Sequence, residues 1–141
     1  MPAVSKKQQI AMAIAEHHPE KLYARNKRSL TLDLRNQRGQ EIARALLQEA
    51  DILVENFRPG TLEKWGLGPD DLWTTNPGLI VARVSGFGQT GPYSRDVGFG
   101  AIAEAMGGLR ALAGFPDRPP PRAGLSIGDS LAGVFAALGT V

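Results

Sequence analysis

Three short stretches of the sequence hold residues whose types and spacing could do chemistry. Glu55-Asn56-Phe57-Arg58-Pro59-Gly60 sets an amide, an aromatic face and a guanidinium side by side, just after the apolar run Ile52 to Val54. Ligands of open α/β sheets bind outside the carboxyl ends of strands, and an arginine near a helix N-terminus suits phosphate. Arg35 and Lys64 would add positive charge at the same sheet edge. A turn capped by Asn56, with a solvated Arg58, is the plainer alternative, and residue types alone leave both open.

Ser126-Ile127-Gly128-Asp129 opens the last apolar segment. Ser126 and Asp129 have the spacing of a capping box, in which both side chains satisfy free backbone N–H groups. A carboxylate at a helix N-terminus also stays ionised, and with Gly128 and Gly133 beside it a substrate could come close enough for it to act as a nucleophile. Both roles are open on this stretch alone. Ser85-Gly86-Phe87-Gly88-Gln89-Thr90-Gly91-Pro92 is rich in glycine, yet it has neither the Gly-Lys-Ser/Thr of a Walker loop nor a full dinucleotide fingerprint. It reads as a turn.

These stretches must be positioned by regular elements. Ser5 with Gln8, followed by Ile10, Ala11, Ile14 and Ala15, predicts a short helix that Pro19 ends. Leu30, Leu32 and Leu34 alternate with Thr31 and Asp33, the period of a strand with one buried face. Residues 38 to 50 carry a helical pattern with Ile42, Leu46 and Leu47 on one stripe. Ile52 to Val54 and Leu79 to Val84 predict two further strands. Met106, Leu109 and Leu112 predict a helix or helix pair between Phe99 and Ala113, and Asp129 to Leu138 another helix. Strands alternating with helices at this spacing indicate an α/β fold with a largely parallel sheet.

Composition narrows the chemistry. The 141 residues suit one domain, and 43% hydrophobic with 21% charged residues is an ordinary globular balance. Without cysteine there is no disulfide framework and no thiolate site, and His17 and His18 are too few ligands for zinc. No metal is expected. No run is long enough to span a bilayer and no secretory leader is evident, so no membrane partner and a cytoplasmic location are expected. The basic residues gather at one end, eight Lys and Arg against three Asp and Glu in residues 1–38. That stretch has a single aromatic, Tyr23, and no recognition motif, which argues against a nucleic-acid surface.

From Arg25 to Val141 the sequence resembles the family III CoA-transferases, the group of formyl-CoA transferase, carnitine CoA-transferase and α-methylacyl-CoA racemase. The matching pieces are collinear: Asn26-Lys27-Arg28-Ser29-Leu30-Thr31-Leu32-Asp33-Leu34, then Ala50-Asp51-Ile52-Leu53-Val54-Glu55-Asn56-Phe57-Arg58-Pro59-Gly60. Trp65-Gly66-Leu67, Asn76-Pro77-Gly78-Leu79-Ile80, the loop from Ser85 to Pro92, and Gly128-Asp129 with Gly133 follow.

The resemblance implies a Rossmann-like α/β large-domain portion of such an enzyme, incomplete at both ends, in residues 25–141, with residues 1–24 a helical segment outside the match. It implies an acyl-CoA:carboxylate CoA-transferase that uses coenzyme A as its acyl-CoA substrate and a carboxylic acid as acceptor. Asp129 corresponds to the catalytic aspartate, which passes through an aspartyl-CoA thioester. Leu32, Arg35, Asn56, Phe57, Arg58 and Lys64 fall where the family contacts CoA. The full-length form is expected to be a homodimer, and this shorter chain to be inactive alone. A racemase of the same family, which uses a histidine absent from the matching part, and a non-catalytic or nucleic-acid-binding protein reusing the fold are the alternatives.

Overall fold

The computed structural model describes residues 28–141. The helix expected between Ser5 and Pro19, and with it Tyr23 and both histidines, lies outside the described residues. The chain divides into two compact units, one ending at Ala82 and one running from Arg83 to Val141.

In the first unit, Asn36 starts helix α1 (Gln37–Leu47) by accepting, through its side chain, the N–H of Gly39 at 2.8 Å. Gly39 has to be glycine, because a Cβ there would run into the carbonyl of Asp33. The fully buried face of α1 is Gly39, Ala43 and Leu47, four residues apart. The stripe expected from hydrophobicity is therefore rotated: Ile42 and Leu46 are only half-buried and line a shallow groove with Arg38, Glu41, Ala45 and Glu49. Small residues win the inner face because the chain approaches α1 closely there.

Strand β1 (Ile52–Glu55) pairs with β2 (Ile80–Arg83) in a two-stranded sheet. Ile80 N–H donates to the Asp51 carbonyl at 2.9 Å, which places the start of one strand beside the start of the other. The strands thus run parallel, joined by a crossover carrying the short helices α2 (Thr61–Lys64) and α3 (Pro69–Trp73). Pro69 stands at the first helical position of α3 and Asp70 and Asp71 in its first turn, a start signal legible in the sequence.

Side-chain-to-backbone clasps hold this unit together. Asn76 Nδ2 donates to the carbonyls of Leu47 and Ala50, at 2.9 and 2.8 Å, and so closes the C-terminal end of α1. Arg44 donates to the Gly66 carbonyl at 2.7 Å, and the Trp73 indole to that of Leu79 at 2.8 Å. Inside them Leu34, Ala43, Leu47, Ala50, Leu53, Leu62, Leu67, Leu72 and Leu79 form the core.

The strand expected at Leu30 to Leu34 does not form. Its alternation survives as burial only in part, with Leu34 buried, Leu32 half-buried and Thr31 and Asp33 exposed, while Leu30 is exposed as well. A strand also needs a ladder partner, and the described residues supply none to this segment.

The second unit opens with the glycine-rich turns. Gly88 and Gly91 adopt positive φ, 78° and 93°, which L side chains rarely take. Gly86 and Gly98 touch backbone to backbone: a Cβ on either would collide with the α-carbon of the other. Helix α4 (Gly100–Met106) and a 3-10 turn (Leu109–Leu112) form the expected pair, and α5 (Ile127–Gly139) begins two residues before the expected start. Ser126 is its N-cap residue but makes no side-chain capping bond, so the expected capping box with Asp129 is not formed. Among the described residues of this unit the buried side chain is a charged one, Glu104, while Leu131, Val134, Phe135 and Leu138 of α5 are exposed.

Candidate functional site

The expected CoA contacts lie in the first unit. Where β1 ends, the buried side chain of Glu55 turns back and its Oε2 accepts the Phe57 N–H at 2.7 Å. That bond shapes the turn so that Asn56 and Arg58 are exposed while Phe57 is half-buried. The Phe57 ring stands edge-on to Trp65, centroids 5.3 Å apart at 83°, and both rings pack against the core together with Leu32. Gly60, at φ 85°, lets the chain enter α2, with Thr61 N–H donating to the Arg58 carbonyl at 3.0 Å. Lys64 ends that helix with its side chain exposed. One turn and one short helix thereby carry Asn56, Phe57, Arg58 and Lys64.

Arg35 is differently placed. Its guanidinium is already engaged by Asp33, Nε to Oδ1 at 2.8 Å and Nη2 to Oδ2 at 3.1 Å, and its backbone N–H also donates to Oδ1 at 3.0 Å. The side-chain bonds from Arg35, then its backbone bond, hold the Asp33 carboxyl below its ordinary pKa, and the same pairing raises that of Arg35. Both groups are solvent-exposed.

Asp129 lies in the second unit, in the first turn of α5, where the unpaired N–H groups and the helix dipole favour a negative charge. It is exposed. Its carboxylate rests on Gly100, the first residue of α4: the position of a Cβ there would be 3.0 Å from Oδ1 and 3.2 Å from Oδ2. Gly128 packs on the same spot, its Cβ position 3.4 Å from the Gly100 α-carbon. Two glycines thus let the N-terminal turns of α4 and α5 meet, and an exposed carboxylate stands at the meeting point.

Sequence reasoning missed Glu55, Asp33 and Trp65 as the side chains that shape the first cluster, and Gly100, Glu104 and Arg122 around the second. One signal was present for Glu104, the lone carboxylate in an otherwise apolar and glycine-rich run from Val97 to Leu109. Among the described residues no three His, Cys, Asp or Glu side chains gather as a metal site, and no helix is long and apolar enough to cross a membrane.

Residues 7–141 match the profile of CoA-transferase family III, a span that takes in part of the segment read from the sequence as lying outside the resemblance. A "Succinyl-CoA--D-citramalate CoA-transferase" of Chloroflexus aurantiacus is 64% identical over 118 residues, 84% of this chain and 29% of that protein. A "Formyl-CoA:oxalate CoA-transferase" of Rhodopseudomonas palustris is 45% identical over 116 residues, 82% of this chain and 27% of its own length. The crystal structure of a CAIB/BAIF family protein from Brucella suis superposes with a TM-score of 0.77 at 40% identity, covering 81% of this chain and 30% of that one. The chain spans under a third of each of these relatives. The collinear motifs, the parallel α/β unit and the match over residues 7–141 agree: the chain belongs to CoA-transferase family III.

Proposed function

We propose that this chain carries the CoA-anchoring turn and the nucleophile of an acyl-CoA:carboxylate CoA-transferase whose acceptor is a dicarboxylic acid. The observation that carries the reading is the Asp129 carboxylate, exposed in the first turn of α5 and packed on Gly100. A carboxylate is itself the nucleophile and attacks without a general base.

In this reading a carboxylate oxygen of Asp129 adds to the thioester carbonyl of the donor, and the carbon–sulfur bond breaks to release CoA thiolate and leave a mixed anhydride. The thiolate then attacks the aspartyl carbonyl, expelling the donor acid as carboxylate and forming the aspartyl-CoA thioester. The acceptor carboxylate attacks that thioester, thiolate leaves again, and its attack on the acceptor acyl carbon of the new anhydride yields the new acyl-CoA and frees Asp129. No proton and no external base is required at any step. Asn56, Phe57, Arg58 and Lys64 would hold the CoA moiety, the cations facing its phosphates and Phe57 its adenine end. A dicarboxylic acceptor is supported by citramalate and oxalate in the names of the two relatives, whose donors, succinyl-CoA and formyl-CoA, share no such feature.

Trapping tests the reading. In a chain extended to the length of these relatives, hydroxylamine added during turnover with succinyl-CoA attacks the aspartyl carbonyl, expels CoA thiolate and leaves a hydroxamate, which peptide mass spectrometry locates. The expected site is Asp129; a hydroxamate elsewhere, or none while transfer proceeds, overturns the assignment.

A further inference from the structure

Resting on the reading of Asp129 as nucleophile, we propose that Glu104 is a positioning residue for it, acting through Arg122. Helix α4 sets Gly100 and Glu104 four residues apart, on one face. The carboxylate of Asp129 lies on the first of these, and the first turn of α5 is seated there through Gly128. Something must hold that turn in its seat. The usual device is absent, because Ser126 makes no side-chain capping bond.

The segment from Ala113 to Ser126, which leads into α5, contains no helix or strand. It doubles back on itself where Gly114 meets the Pro121 ring, a Cβ at Gly114 falling 2.6 Å from Pro121 Cδ. The next residue, Arg122, reaches helix α4, its Nη2 standing 3.6 Å from Glu104 Oε1. Among the described residues the other ion pair of this segment, Arg118 with Asp117, joins neighbours in sequence and anchors nothing outside it. The Glu104–Arg122 pair therefore ties the segment to α4 four residues ahead of Ser126.

Burial makes loss of the tie costly. The Glu104 side chain is 2% exposed, and neither of its oxygens has a hydrogen-bond partner among the described residues. A buried carboxylate deprived of its cation is costly, so Arg122 is held in place by what its departure would leave behind. Holding Arg122 holds the approach to α5, and with it the direction in which the Asp129 carboxylate faces an incoming thioester.

The test separates position from fold and from chemistry. In the 141-residue chain, nuclear Overhauser cross-peaks between Gly100 Hα and Asp129 Hβ read the contact directly. Glu104→Gln is expected to weaken them at least by half, Arg122→Ala to do the same, and Arg122→Lys, which keeps the charge, to preserve them. In acyl transfer by a chain extended to the length of the relatives, Glu104→Gln is expected to lower kcat about tenfold or more with KM for acyl-CoA within about twofold, as for a misplaced reacting group. If Glu104→Gln does not fold, Arg122→Ala reads the same pair from its exposed end. Unchanged cross-peaks in a folded Glu104→Gln or Arg122→Ala variant overturn the proposal, as does a loss expressed in KM alone. An active Asp129→Asn variant would remove the nucleophile reading and leave the cross-peak result standing on its own.

Discussion

Asp129 and Gly100 are in contact through the one place on α4 where a side chain is missing: the two carboxylate oxygens lie 3.0 and 3.2 Å from where the Gly100 Cβ would be. The carboxylate is thereby given a floor. Gly100→Ala raises that floor by a methyl group and obliges the carboxylate to shift by a few tenths of an ångström. Alanine is also the better helix former, by up to about 1 kcal/mol. The expected outcome is an unchanged or slightly higher thermal midpoint with transfer slowed about tenfold or more, the cost of misaligning a reacting group. A rate equal to wild type would show that the contact is incidental.

Asp129→Asn separates charge from shape. Asp129 is not the N-cap residue, so the change removes only its favourable interaction with the helix N-terminus, about 0.3–1 kcal/mol. In a chain extended to the length of the relatives, circular dichroism should show a midpoint within a few degrees of wild type, while CoA transfer is abolished because the amide cannot form the anhydride. Transfer at the wild-type rate would return the residue to a purely structural role.

Arg58 is exposed on the turn shaped by Glu55 and Phe57. Arg58→Ala is expected to weaken CoA binding by about 1.5–3 kcal/mol, the range of a hydrogen bond to a charged group. The loss should be the same for ADP and absent for pantetheine. Calorimetry giving equal CoA affinity in both proteins would exclude Arg58 from the phosphate site.

Asp33 competes for Arg35. Because the pairing lowers the Asp33 pKa, its contribution to stability is present above the ordinary aspartate pKa and is lost as pH falls through the lowered value. Carboxyl NMR titration should find Asp33 below the usual range in wild type and moved back towards it in Arg35→Gln. If Arg35 serves a CoA phosphate, Asp33→Asn frees it and tightens CoA binding. Affinity unchanged by Asp33→Asn would leave Arg35 as a partner of Asp33 alone.

The exposed apolar side of α5 carries Phe135 at 68% and Leu138 at 67% exposure. Surfaces of that kind on soluble chains associate or bind apolar probes. The chain is expected to bind a hydrophobic dye and to sediment above monomer mass, and Phe135→Ser with Leu138→Ser to reduce both signals. A dye-silent monomer would show that α5 tolerates water.

Elements driven by local pattern were legible in the sequence. Both strands of the sheet were found to within a residue at most ends, and the helices α1, α4 and α5 in their places. The strand at Leu30 was misread because alternation reports burial, whereas a strand also requires a neighbour. The inner face of α1 was misread because Ala43 and Gly39 are buried for their smallness, which hydrophobicity does not register. At the candidate site, the glycines beside Asp129 left cap and nucleophile open and the family resemblance singled it out, whereas its contact with Gly100 was not legible, since it joins residues 29 apart in sequence. The pairing of Glu104 with Arg122 was invisible for the same reason: only folding makes them partners.

The glycine pair at 86 and 98 has a bearing on how substitutions in this chain should be interpreted. Exposure is the usual guide to tolerance, and Gly86 is exposed. Yet the two backbones touch where their side chains would be, so each residue vetoes every larger neighbour at the other position. In a saturation library scored for folding, Gly86 and Gly98 should therefore rank with the core leucines, and no compensating change at one should rescue the other, because neither has an atom left to give up.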